Sequence, residues 1–163
     1  MSTVDELLQA NAAYARDFDQ GDLPMPPSRK VAACMDARLD VYRLLGLGLG
    51  EAHVIRNAGG VVSDDVIRSL VISQQLLGTR EVMLIHHNDC GMLTFRDDEL
   101  KDRLEQRTGV RPAFAMEAFR DPAADVGQSL RRLRASPLIP ADVPVRGFVY
   151  QVETGLLEEV SGG

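Results

Sequence analysis

A chain of 163 residues, 45% of them hydrophobic and 26% charged, is long enough for one domain with a buried core and is ordinary in polarity for a globular protein. Its net charge of −6 argues against a general nucleic-acid or acidic-membrane surface, and no apolar run approaches the ~20 residues of a membrane helix. The start, Met1 to Glu6, has no basic region leading into an apolar stretch, so no secretory leader is expected and a cytoplasmic location is.

The first predicted helix opens at Ser2-Thr3-Val4-Asp5, a capping-box-like start, and carries Leu7, Leu8, Ala12 and Tyr14 on a loose apolar face. A linker follows from Gly21 to Ser28, where Pro24, Pro26 and Pro27 forbid a helix and favour an extended path. Residues 1–28 therefore read as a helical arm of a single domain spanning 1–163. The arm's helix either packs on a second subunit or folds back on its own body.

The body alternates strand and helix. Val31 to Cys34 reads as a short buried strand, Leu39 to Leu45 as a short helix ended by a glycine-rich turn, and Ala52 to Arg56 as a second strand. Ser63 caps a helix through Leu77, with Val66, Ile67, Leu70, Val71, Leu76 and Leu77 apolar and Gly78 at C′. Glu81 to His86 is a third strand, apolar on both faces as parallel strands usually are. Further helices are predicted from about Asp97 to Thr108, stopped by Gly109, and from an Asp121-Pro122 start to about Ala135, with proline at the first helical position. Val145 to Val152 is a fourth strand, and after a turn at Glu153-Thr154-Gly155 the segment Leu156 to Val160 returns as an antiparallel edge strand. The alternation predicts an α/β fold: a central, mostly parallel sheet of four parallel strands plus an antiparallel edge strand, flanked by helices. Active sites in such sheets lie at the carboxyl ends of the strands.

Both cysteines of the chain, Cys34 and Cys90, fall at such ends. Two are too few for a disulfide scaffold, and a reducing cytoplasm disfavours a bond between them. Cys34 ends strand one, while His87 and Cys90 lie just past strand three and open onto the same edge. His87 and Cys90, three apart in a turn, can grip one metal ion together. Two thiolates and an imidazole suit zinc, and three protein ligands leave one tetrahedral position free, the mark of a catalytic site. Taken singly, each residue reads more readily as a buried thiol or a satisfied histidine than as a metal ligand. Their coincidence at strand ends, beside acidic and basic residues that a core would exclude, is what points to metal. Asp36 and Arg38, two apart, can pair so that the guanidinium keeps the carboxylate ionised. Asp36 then either accepts a hydrogen bond from hydroxide on the metal or swings in as a fourth ligand and closes the site. Of the other histidines, His86 should face away from His87 by strand alternation, and His53 lies far from the active edge; both read as structural. Arg131, Arg132 and Arg134 read as a solvated helix face, not a nucleic-acid surface.

The pattern Cys34-Met35-Asp36-Ala37-Arg38 followed by His87-Asn88-Asp89-Cys90-Gly91 resembles the zinc signature of the β-class carbonic anhydrases. Ile55-Arg56-Asn57-Ala58-Gly59-Gly60 is similar to that family's Arg-Asn-Ala-Gly turn, and the likeness runs from about Met25 to Val160, closest to short members of actinobacterial type. The resemblance implies Zn2+ on Cys34, His87 and Cys90, a catalytic dyad of Asp36 and Arg38, and reversible hydration of carbon dioxide to bicarbonate and a proton by zinc-bound hydroxide. It also implies an obligate homodimer, or a dimer of dimers, with the site near the interface. Three departures stand out: strand one looks short, the glutamine and aromatic residues of plant-type pockets have no obvious counterpart, and some relatives hydrolyse carbonyl sulfide or carbon disulfide with the same ligands. A carbonyl sulfide or carbon disulfide hydrolase is thus the alternative activity, and a zinc-stabilised module without catalysis is the non-enzymatic one. Two thiolates make the metal less electropositive than three imidazoles would, so activity is expected to rise at alkaline pH.

Overall fold

The computed structural model describes residues 3–23 and 29–161 and is built on one five-stranded sheet of order β2-β1-β3-β4-β5. The strands are β1 (Arg29–Cys34), β2 (Ala52–Asn57), β3 (Glu81–His87), β4 (Val145–Tyr150) and β5 (Leu157–Val160). The first four run parallel and β5 closes the edge antiparallel to β4. The expected α/β architecture is therefore present. Among the described residues five α-helices accompany it: α1 (Thr3–Arg16), α2 (Val41–Leu45), α3 (Asp64–Gln75), α4 (Asp97–Thr108) and α5 (Pro122–Ala135).

Strand alternation sorts the core into two layers. Ala32 of β1 and Val82 and Leu84 of β3 face Val66 and Leu70 of α3 and Val126, Leu130 and Leu133 of α5. Burial of each leucine in this layer contributes about 1.5–3 kcal/mol. Gly147 of β4 lets α5 approach closely: a Cβ there would overlap the side chain of Val126. The opposite residues, Val31, Ala33 and Ile85, pack under Leu39, Val41, Met92 and Phe119. This second layer reaches Cys34 and Cys90, so the site grows directly out of it.

Local chemistry sets the helix starts. The Asp40 side chain accepts from the Arg43 amide at 3.3 Å, so α2 begins at Val41 and not at Leu39 as anticipated. Ser63 Oγ accepts from the Val66 amide at 3.4 Å, and Asp121 Oδ1 accepts from the Ala123 and Ala124 amides at 2.8 and 3.2 Å; both caps are where the sequence places them. Helix α3 stops at Gln75, two residues before the expected end, with the left-handed Gly78 beyond it.

Strand β1 corrects one expectation. It is six residues long, not a short Val31–Cys34 segment, because Lys30 pairs in register with His53 and Val82. A lysine does not signal a strand interior, yet this one is buried. The proline linker lies outside the described residues except for its first three. Helix α1 buries none of its residues, so of the two expectations for the arm, folding back onto its own core does not occur. Among the described residues, no helix is long and apolar enough to cross a membrane.

Candidate metal centre

Three parallel strands deliver the site. β1 ends at Cys34, β3 ends at His87, and the turn after β3 carries Cys90 into a short 3-10 turn, Gly91–Leu93. The neighbouring strand β2 runs into another 3-10 turn, Ala58–Gly60. Gly60 has φ +75°, and a Cβ there would lie 2.7 Å from the Ile85 carbonyl oxygen and 2.8 Å from the Cys34 nitrogen. Only glycine lets this turn rest directly on β1 and β3 where they supply the site.

The ligand atoms of Cys34, His87 and Cys90 lie within 4.8 Å of one another, and all three residues are buried. The two Sγ atoms are 3.9 Å apart. His87 Nδ1 sits 2.6 Å from the Asn88 carbonyl oxygen; a carbonyl only accepts, so Nδ1 carries the proton and Nε2 keeps its lone pair. That Nε2 is buried without a hydrogen bond. An unpaired buried acceptor is costly in a finished protein, and here it belongs to the same cluster as two sulfurs. Two soft thiolates and one imidazole, with the other ring nitrogen fixed by a backbone carbonyl, make a donor set that fits zinc.

The paired thiols do not titrate alike. Their mutual hydrogen bond draws the Cys34 thiol down to about 4 and pushes the Cys90 thiol above its ordinary value. The pair therefore gives up its first proton more readily than its second, and a metal ion would have to displace the second.

Asp36 and Arg38 stand beside this cluster. Arg38 Nε donates to Asp36 Oδ1 and Nη2 to Oδ2, both at 2.9 Å, and the Arg38 amide also donates to Oδ1 at 2.9 Å. This clamp holds the Asp36 carboxyl well below the usual carboxylate range. Asp36 Oδ2 lies 3.6 Å from His87 Nε2, too far for a hydrogen bond yet near enough to serve the same small volume. All five residues singled out in the sequence therefore come together.

The structure adds residues to which sequence reasoning assigned no role in shaping the site. Arg56 Nε and Nη2 donate to the Cys34 carbonyl at 3.0 and 2.8 Å, and Nη2 donates to the Asp36 carbonyl at 2.6 Å. It thereby fixes the backbone between a thiol and the carboxylate. Asp89 receives Arg38 twice, at its side chain (2.7 Å) and its backbone carbonyl (3.0 Å). Asn88 anchors the turn by donating to Glu153 Oε2 at 2.8 Å and accepting from the Val152 amide at 2.9 Å. Arg56 stood inside a quoted motif; for Asn88 and Asp89 the only signal was their place between His87 and Cys90. His86, as expected, turns away from His87: its Nε2 pairs with Asp125 Oδ2 of α5 at 2.8 Å. His53 lies towards the start of β2 and pairs with Ser73.

Comparison with known proteins places this geometry. The carbonic anhydrase family model matches residues 30–157. The chain is 57% identical over 163 residues to the protein named Beta-carbonic anhydrase 1 of Mycobacterium tuberculosis, covering 99% of each. It is 34% identical over 182 residues to a carbon disulfide hydrolase of an Acidianus species, covering 96% of this chain and 88% of that one. Among solved structures, a carbonic anhydrase from Streptococcus mutans matches with a TM-score of 0.93 at 43% identity, over 99% of both chains.

Proposed function

The chain belongs to the β-carbonic anhydrase family, and on that premise we propose that it catalyses the reversible hydration of carbon dioxide to bicarbonate and a proton, with zinc held by Cys34, His87 and Cys90. The observation that carries this reading is the convergence of two sulfurs and an unpartnered imidazole nitrogen within 4.8 Å, next to an aspartate kept ionised by arginine.

Zinc in such a site lowers the pKa of water from about 15.7 towards about 7, which makes a nucleophile available at neutral pH. The protein's own residues supply orientation. Ionised, Asp36 can only accept hydrogen bonds, so a water beside the three ligand atoms is held with its proton towards Asp36 and a lone pair towards the substrate. Arg38 fixes Asp36 through a bidentate clamp, and Arg56 fixes the carbonyls of Cys34 and Asp36. His87 Nδ1 is occupied by the Asn88 carbonyl, which leaves Nε2 for the metal. A closed state, with Asp36 as a fourth ligand, requires Asp36 to leave Arg38.

Hydrolysis of carbon disulfide or carbonyl sulfide is the weaker reading. The Acidianus hydrolase stands at 34% identity, whereas the mycobacterial carbonic anhydrase stands at 57%. Metal analysis with a stopped-flow hydration assay tests the proposal. Stoichiometric zinc and bicarbonate formation support it; sulfide release from carbon disulfide without carbon dioxide hydration overturns it.

The working form is proposed to be a homodimer or a dimer of dimers. Support comes from α1, which exposes Val4, Leu7, Leu8 and Tyr14, with Phe18 and Leu23 exposed just beyond it; such a face is ordinarily covered. A cytoplasmic location is proposed because Cys34 and Cys90 must stay reduced to act as ligands. Both core layers share the one sheet, which supports reading 1–163 as a single domain.

A further inference from the structure

At the opposite end of β1 from Cys34, Lys30 is buried under α3. It is 2% exposed, and its Nζ donates to the Ser69 carbonyl oxygen at 2.5 Å. Lys30 stands in register with His53 of β2. His53 Nδ1 lies 2.7 Å from Ser73 Oγ, which lies 2.8 Å from Thr79 Oγ1. An open hollow of about 250 Å3 lies here, lined by Lys30, His53 and Ser73 together with Ile55, Ile72 and Leu77. The titratable groups facing Lys30 are His53 from β2 and Glu81 from β3, which borders a second hollow shared with Lys30; α3 contributes the neutral Ser69 and Ser73.

The hydration chemistry uses none of these groups. Burial withholds water from the Lys30 ammonium and lowers its pKa to about 8. Near neutral pH the amine is then neutral, and so nucleophilic, for a far larger fraction of the time than a solvated lysine near 10.4. Carbon dioxide is a small, linear, apolar electrophile, suited to a hollow lined largely by apolar surface.

We propose that Lys30 is a site of reversible carbamate formation with carbon dioxide. The Nζ lone pair attacks the carbon, a C–N bond forms, and one C=O π pair moves onto oxygen. Nζ releases one proton to solvent, so amine and carbon dioxide become the carbamate anion and H+. The nitrogen keeps one hydrogen, which still donates to the Ser69 carbonyl. Ser73 and His53, which line the same hollow, are the hydrogen-bonding side chains available to the new carboxylate. Charge at this position changes from positive to negative. His53 is held below its ordinary pKa first by burial and then by the Lys30 charge, and the carbamate reverses the second effect. The inference rests on the proposed function for its supply of carbon dioxide.

The test uses the full chain loaded with zinc. The protein is incubated with 13C-bicarbonate near pH 8 and followed by 13C NMR. A parallel sample is alkylated with triethyloxonium and digested for mass spectrometry. A carbamate resonance and an ethyl-carbamate adduct on the peptide containing Lys30 are expected, both lost when the protein is degassed before alkylation and both absent in Lys30→Arg and Lys30→Met. Wild-type protein without the adduct overturns the proposal, as does a carbamate resonance that persists undiminished in the variants. Carbon dioxide hydration is measured on the same samples and should stay within about twofold in Lys30→Arg, since Lys30 lies outside the site. Hydration without the adduct overturns the carbamate and leaves the proposed function standing; an adduct without hydration does the reverse.

Discussion

Arg38 reaches across the site to Asp89, whose carboxylate lies 2.7 Å from Nη1 and whose backbone carbonyl lies 3.0 Å from Nη2. The same guanidinium grips Asp36 with Nε and Nη2, so it is held from two sides. Asp89 adopts φ +50°, a left-handed conformation that aspartate tolerates and glycine adopts freely. Asp89→Gly should therefore fold normally. Its carboxylate is 72% exposed, so stability should change by no more than about 0.5 kcal/mol. Loss of the second grip leaves Arg38, and through it Asp36, less well positioned, and kcat should fall by about tenfold with zinc content unchanged. Steady-state kinetics beside metal analysis decide the point; an unchanged kcat would show that the Asp36 clamp suffices alone.

Asp36 itself is the sharper case. Asp36→Ala removes no proposed metal ligand in the open state, so the variant should retain zinc while its turnover drops by at least about a hundredfold. Asp36→Asn keeps the shape but can donate a hydrogen bond where the carboxylate only accepts, and it should fare no better. Wild-type turnover in either variant would remove Asp36 from the mechanism.

Zinc affinity should depend on pH through the cysteine pair. Cys34 is the acidic thiol, and Cys90 holds its proton above the ordinary cysteine range. Zinc must displace that proton, so affinity should weaken by about tenfold for each unit the pH is lowered across the neutral range, with at least one proton released per ion bound. Isothermal titration in buffers of different ionisation enthalpy counts the protons. Cys90→Ser should bind zinc at least about a hundredfold more weakly, since a hydroxyl stays protonated where a thiolate is needed. Stoichiometric, tightly bound zinc in Cys90→Ser would mean that this sulfur is not a ligand.

The convergence of Cys34, His87 and Cys90 is legible in the sequence because a parallel sheet gathers strand ends on one edge, and polar neighbours mark those ends. The geometry around it is less so. Asp89 reaches Arg38 only because its backbone turns left-handed, and Asn88-Asp89-Cys90 carries no glycine to announce this. Arg56 lies on a strand whose pattern predicts β structure, but its side chain serves the carbonyls of Cys34, at the end of the neighbouring strand, and of Asp36 just beyond it, a tertiary choice that no periodicity encodes. The start of β1 is hidden because Lys30 breaks the apolar run. The mostly parallel α/β character of the sheet follows from alternation, whereas its order β2-β1-β3-β4-β5 is a tertiary choice that alternation leaves open.

Gly60 offers a test of how tightly the site is tied to the fold. A Cβ at this position would meet backbone atoms of β1 and β3 in a conformation already left-handed. Neither obstacle is a flexible side chain, so Gly60→Ala should destabilise the protein by about 2–4 kcal/mol. The displaced atoms belong to Cys34 and Ile85, so zinc affinity should fall together with the urea midpoint. A stable variant that loses no zinc would show that the strands yield without disturbing the thiols.

Stability should also record the burial of Lys30. Its folded pKa of about 8 lies below the ordinary 10.5, so the unfolded chain binds more protons between those two values. Below about pH 8 the ammonium is buried and its full penalty is present. From there to about 10.5 the stability contributed by this group rises with pH, and beyond that range both states are neutral and the gain is complete. At about 1.4 kcal/mol per pKa unit the rise amounts to about 3–4 kcal/mol at most. Lys30→Met keeps the apolar stem and removes the charge, so it should be more stable than wild type near pH 7, less the hydrogen bond to Ser69, and lose that advantage near pH 10.5. Urea midpoints for the two proteins in carbon dioxide-free buffer give the comparison, and the difference between them cancels the tyrosines and cysteines that titrate in the same range. A pH-independent difference would mean that the Lys30 ammonium is solvated in the folded chain, and the carbamate inference would lose its neutral amine with it.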